Sequence, residues 1–338
     1  MEGASLRGGG RSVLERSPLA RLPDRALRYG LTALAAAILA LIVYFFVRLV
    51  GEAAPAFERM GVFGFTFGSE WNVNAEHFGA LPLLVGTLIT SALALLIGVP
   101  VAVAAAIYAT ELCPVRLRGA LTLLVELLAA VPSVVYGLWG IFFLAPKLQP
   151  AEQWIAGKLS FIPFIGGGTV TIPNYFITGL VLAIMILPIV SAISREVIAT
   201  VPTDQKEAAL ALGATRWEMI RTAVLPFSRA GIVGGAMLGL GRALGETIAV
   251  TILIGNAPRL SHHLFEQGYS LAAVIANEFG EATGLHRNAL FAAGLVLFVL
   301  TLLVNGVARA LVLRAASGRN RAGSGEAGAR LAETVAGA

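Results

Sequence analysis

From Ala80 to Thr110 the chain runs 31 residues without one charged side chain. As a helix that stretch is about 46 Å long, against a bilayer core of about 30 Å, so it tilts, bends near Gly98 and Pro100, or projects from the membrane. Five further segments, 31–50, 120–145, 172–194, 230–255 and 289–313, have the length and apolar character of spans. With 57% hydrophobic and 13% charged residues and a mean hydropathy of +0.80, the chain reads as an all-α polytopic membrane protein with six transmembrane helices. A shorter uncharged run, LSFIPFIGGGTVTIPN (159–174), holds too many glycines and prolines for a seventh span and reads as an external loop.

The formal charge of +5 does not call for nucleic acid, because the basic residues cluster between the apolar runs, where they orient the chain in a bilayer. Eighteen Lys and Arg fall in the N-terminal tail, the 111–119 and 195–229 loops and the segment after Gly306. Six fall on the opposite side: Arg48, Arg59, Lys147, Lys158, Arg259 and Arg287. The positive-inside rule then places both termini and the 195–229 loop in the cytosol. The first 28 residues hold six arginines and no apolar core, and the run that follows is too long for a signal peptide, so the first span is expected to stay uncleaved. Cys113 is the only cysteine, which excludes an internal disulfide and a zinc site built on several thiolates. No metal site is expected; His262 and His263 are adjacent in an external loop, a poor chelating spacing from one helix.

The 195–229 loop carries structure of its own. Pro202 and Thr203 offer a helix start, DQKEAALAL is rich in helix formers, Gly213 breaks that helix, and TRWEMIRTAV begins another, with Pro226 expected to end it. Ala208, Leu212, Trp217 and Ile220 lie among charges. Such a pair either lies on the headgroups or inserts into a cytosolic partner, with apolar anchors and Glu207, Arg216 and Glu218 as orienting charges.

At these residues the chain resembles the membrane subunits of bacterial ABC importers, whose signature is Glu-Ala-Ala, three residues, Gly, nine residues, an aliphatic residue, any residue, then Leu-Pro. Glu207, Ala208, Ala209, Gly213, Leu225 and Pro226 fall at those positions, with Ala223 at the aliphatic one. The resemblance implies a type I importer permease (MetI-like) fold and a coupling helix that seats in the ATP-binding subunit. The only Gly-Lys pair, Gly157 and Lys158, is followed by Leu159 and lacks the earlier glycine of a P-loop. ATP and its Mg are therefore expected on a partner, with no cofactor in this chain and no enzyme activity of its own.

Within the fifth apolar segment GLGRALGETIAV holds Arg242 and Glu246. Two unpaired charges at mid-membrane cost about 5–7 kcal/mol on insertion scales. On an unbroken helix they lie about 40° apart on neighbouring turns and reach one another. Gly231, Gly235 and Gly239 repeat at the same spacing and share their face, a stripe that lets another helix approach closely. The pair reads either as a structural lock or as a pathway site, in which the Arg242 fork meets an oxyanion and Glu246 keeps it from binding too tightly. Glu126, about two turns inside the third span, reads as structural or interfacial.

GRALGETIAV followed by IGN, together with WNVNAEHFGALPLLVGTLITS, ELLAAVPSVVYGLWG, LAIMILPIVSAISREV and SLAAVIANEFGEA, is similar to the PstC-type permease subunits of phosphate-specific ABC importers. Val73 departs from that pattern, where relatives often have proline. The resemblance implies that Arg242 and Glu246 serve phosphate passage. It also implies a second, PstA-type permease, a PstB-type ATPase dimer and an external PstS-type binding protein, all at a bacterial inner membrane. On this reading 1–30 is a cytosolic tail, 31–50 the first span and 51–79 an external loop. Residues 80–314 are the permease core with its coupling loop at 199–226, and 315–338 are a second cytosolic tail. Permeases for sulfate or molybdate, or a carrier driven by an ion gradient, are the alternatives.

Overall fold

The computed structural model describes residues 22–166 and 168–336, with side chains for 26–166 and 168–310. Most of the N-terminal tail assigned to 1–30 therefore lies outside the described residues, as do the side chains of 315–338. The chain divides into two compact units, one ending at Gly51 and one beginning at Glu52. In the first, helix α1 (Leu22–Met60) carries the expected span and presents its leucines, isoleucines and phenylalanines outward, as a helix solvated by lipid does.

The second unit begins with the last turns of α1, so the external loop expected at 51–79 is folded. Short helix α2 (Val62–Phe67) leads into a two-stranded hairpin of β1 (Trp71–Asn72) and β2 (His77–Phe78), paired Trp71 to Phe78. Phe57, Phe65, Trp71 and Phe78 meet edge to face, with centroids 5.1–6.4 Å apart. That geometry suits the opposed charge of ring face and ring edge.

Helix α3 (Leu81–Ile107) continues through a π-helical turn (Tyr108–Leu112) and packs along its length on α7 (Tyr175–Ala199). Gly98 and Gly179 allow the approach. A Cβ at Gly98 would lie 2.9 Å from the Ala183 carbonyl oxygen, and one at Gly179 would lie 2.6 Å from Leu93 Cβ. Helix α7 is capped by Asn174, whose Oδ1 accepts the Ile177 amide at 2.9 Å; Asn174 Nδ2 donates to the buried Glu152 at 3.0 Å. The run 159–174 is a chain of turns, as its glycines and prolines require, and it is laced to the 254–270 loop by backbone bonds such as Thr171 to Phe265. That loop, which holds His262 and His263, is packed rather than open to solvent. Ser261, Leu264, Phe265 and Tyr269 are buried, and His263 lies against Gly168.

Two of the expected spans are broken. The third, expected at 120–145, is a pair of helical segments bent by 90°, one of them α4 (Val115–Ala130), the other running Ser133–Lys158 through α5 (Ser133–Trp139), a π-helical turn and α6 (Ala145–Lys158). The bend falls at Val131–Pro132, where the ring of proline drives the preceding residue out of the helical region; Val131 has ψ 127°. The fifth, expected at 230–255, stops early. Helix α10 (Leu225–Gly245) ends at Glu246, whose ψ of 125° is extended, and a separate short helix α11 (Ile248–Leu253) follows. Helix α12 (Leu271–Glu278) and the last helix α13 (Gly284–Ala336) complete the order. Among the described residues five helices are long and apolar enough to cross a membrane, six if the bent pair counts as one.

Candidate functional site

The 195–229 loop folds as an elbow. Helix α8 (Thr203–Ala211) ends at Gly213, whose φ of 86° suits a residue without a Cβ. Thr215 then opens α9 (Arg216–Met219) with a capping box: its side chain accepts the Glu218 amide, and Glu218 returns a bond to the Thr215 amide at 2.8 Å. Pro226 does not end this second helix. A π-helical turn (Ile220–Val224) carries it into α10, with the Leu225 amide bonded to the Ile220 carbonyl, so Pro226 enters at the first turn of α10, where its missing donor costs least.

Met219, Ile220 and Val224 are buried against Ala106, Ile107, Ile198 and Val201. Ile220 thus belongs to the core and not to an outward anchor. Lys206 Nζ meets Glu111 Oε1 at 2.6 Å, tying α8 to the end of the α3 limb. The exposed residues include Glu207, Ala208, Arg216 and Glu218 and the large side chains of Leu212 (90% exposed) and Trp217 (63%). Ala209 is half-buried against the core that Leu225 also covers. A fold that buries Ile220 and leaves a tryptophan and a leucine at its tip presents an anchor for another surface.

From this elbow α10 runs along α7. A Cβ on Gly231 would fall 2.4–2.9 Å from Val197, on Gly235 3.2 Å from Ile193, and on Gly239 2.8 Å from Val190 Cγ2. The glycine stripe is therefore the seat of α7. Arg242 lies one turn further on, at the last turn of α10, exposed on this chain. The expected contact with Glu246 is not made, because the helix ends between them; the two form no ion pair. Glu246 Oε1 instead accepts the Ala249 amide at 3.4 Å, beside the start of α11. Among the described residues Arg242 has no hydrogen-bond or ion-pair partner, while its charge acts on the Tyr136 hydroxyl.

Tyr136 was not singled out by sequence. Its hydroxyl donates to the Leu128 carbonyl at 2.8 Å, across the 90° bend. Gly137 and Gly140, on the arm beyond the bend, lie against Ala249, Ile252 and Leu253 of α11. The break after Gly245 and the bend at Pro132 are thus packed together, with Arg242 beside them. Glu126 sits at a 4.0 Å contact with Arg195, which also bonds Thr122, placing that carboxylate between α4 and α7.

A second cluster also escaped the sequence. Glu278, at the end of α12, accepts the Trp71 indole at 3.1 Å, the Tyr269 hydroxyl at 3.2 Å and His286 Nε2 at 2.8 Å. The His286 ring stacks on Phe78 at 5.5 Å. Trp71 and Glu278 are 207 residues apart, so no local period signals their meeting. Burial pushes the Tyr269 hydroxyl well above its ordinary range and keeps it a donor.

Among the described residues, five or six helices of membrane length, an elbow between two limbs and a cation beside a broken span suit a membrane transport component. Residues 98–317 match the family described as "Binding-protein-dependent transport system inner membrane component", and the chain belongs to that family. Its relatives sharpen this to one branch. It is 46% identical over 291 residues to the phosphate transport system permease protein PstC of Mesorhizobium japonicum, covering 84% of this chain and 88% of that one. The corresponding figures are 46% over 266 residues for the PstC of Pasteurella multocida (77% and 83%) and 42% over 307 residues for PstC 2 of Mycobacterium tuberculosis (86% and 92%). Among solved structures, a bacterial alginate ABC transporter in complex with an alginate pentasaccharide-bound periplasmic protein aligns with TM-score 0.59 at 21% identity, covering 87% of this chain and 98% of that one. At that identity the likeness carries the fold alone.

Proposed function

We propose that this chain is the permease subunit that passes inorganic phosphate across a bacterial inner membrane within an ABC importer. The observation that carries this reading is the similarity, over most of the chain, to permeases named for phosphate transport. The capped elbow with Leu212 and Trp217 outside supports it as the part that docks on an ATPase, and with it a cytosolic placement of both termini. This chain holds no nucleotide or cofactor; ATP and Mg bind a PstB-type dimer. A PstA-type permease completes the membrane pathway at Arg242, and a PstS-type protein delivers phosphate to the external side.

In this mechanism closure of the ATPase moves the elbow, and the continuous helix from Arg216 to Gly245 carries that motion to Arg242. The Arg242 guanidinium, not neutralised by Glu246, meets the anion as it passes. Glu246, turned toward the Ala249 amide, holds the break in place. The test is labelled-phosphate uptake by the four-component complex in proteoliposomes. ATP-dependent uptake not matched by sulfate or molybdate is expected. Preference for one of those anions, or uptake without the ATPase, overturns the reading.

A further inference from the structure

A cavity of about 660 Å³ opens between α10 and α13 on the face of α10 turned away from the glycine stripe. Gly234 and Gly241 line it, and a Cβ on either meets nothing within 4 Å. Met237 and Leu238 make the wall apolar, and among the described residues two polar side chains reach it, Asn305 and Arg309. These two are four residues apart on α13, so they stack one turn apart, about 6 Å along the axis. Neither has a hydrogen-bond or ion-pair partner among the described residues. On the apolar segment read from sequence, 289–313, Arg309 lies about one turn inside the end and Asn305 one turn deeper.

From surface to depth the groove thus offers a guanidinium, an amide, and then an apolar channel. A glycerophospholipid has the same order: a phosphate, ester carbonyls about one helical turn deeper, and acyl chains. We infer that this groove is a site for an anionic phospholipid of the cytosolic leaflet, with the phosphate on Arg309, an ester carbonyl on the Asn305 amide and an acyl chain along Gly234 and Gly241. An unpartnered amide within the hydrocarbon is costly, and an ester oxygen satisfies it. Basic grooves between spans at the cytosolic face suit anionic headgroups. The choice of leaflet rests on the orientation proposed above; the groove's own chemistry does not.

Native mass spectrometry of the assembled transporter, released from detergent with added phosphatidylglycerol or phosphatidylcholine, tests this. The wild-type complex should retain phosphatidylglycerol preferentially. Arg309→Gln should weaken that retention about tenfold, Arg309→Lys should keep most of it, and Gly234→Leu should exclude the lipid by filling the channel. All variants are compared only in intact complexes, so misfolding is scored separately. Equal retention of both lipids, retention unchanged in Arg309→Gln, or displacement by inorganic phosphate at matched ionic strength overturns the inference. So does a disulfide cross-link from Gly241→Cys to a span of the partner permease. Such outcomes leave the phosphate-uptake reading standing, since that is measured separately.

Discussion

Glu246 Oε1 faces the Ala249 amide and not the Arg242 guanidinium four residues before it. The helix stops between them, so the arginine is left to the open face of the subunit. Arg242→Gln should therefore cut phosphate uptake by at least about tenfold in complexes that still assemble, a factor equal to ~1.4 kcal/mol. Glu246→Gln, which keeps an acceptor for Ala249, should cost much less. The exchange of both, Arg242→Glu with Glu246→Arg, should not restore transport; recovery would mean that the two charges act as a lock.

Lys206 and Glu111 are only 18% and 9% exposed. Removing one partner leaves a charge with little water, a change worth about 3 kcal/mol for well-buried pairs. Lys206→Met should lower the apparent melting midpoint of the purified complex and uncouple ATP hydrolysis from uptake. Pairing it with Glu111→Leu should recover most of the midpoint, because no orphaned charge remains.

The two glycine faces of α10 should respond oppositely. Gly239→Ala places a methyl 2.8 Å from Val190 Cγ2, and overpacking of this kind costs about 1–3 kcal/mol. Gly234→Ala meets nothing and gains up to about 1 kcal/mol of helix propensity. Thermal inactivation of the two variants should therefore move in opposite directions.

Tyr269 gives the cluster around Glu278 a pH signature. Its folded pKa is raised above the ordinary value of about 10. Above that pH the unfolded chain sheds the proton while the folded one retains it, so stability is full below about 10 and falls as the medium becomes more alkaline. Tyr269→Phe should flatten this alkaline loss, read as the pH dependence of the intrinsic fluorescence change around Trp71. A slope unchanged by the substitution would assign it to other groups.

The uncharged run 80–110 was legible as a span, because a stretch that long and apolar has few alternatives. The breaks were written less legibly. Pro132 after Val131 is a local signal for a bend, but it sits in a run whose apolar character reads straight through it. Gly245 before Glu246 is a helix stop of the same kind, and assuming an unbroken helix gave the charges a contact they do not make. The capping box at Thr215 and Glu218 is local, and its helix start was readable. The convergence of Trp71, Tyr269 and His286 on Glu278 joins distant parts of the chain and leaves no periodic trace.

The π-helical turn at Ile220–Val224 holds one residue more than a regular spiral of the same rise. Each residue of a helix advances the azimuth by about 100°, so that surplus sets the compass bearing of everything downstream. Deleting a single residue there would swing the glycines off α7 and turn Arg242 by more than a quarter of the circumference, with every downstream residue still present and in order.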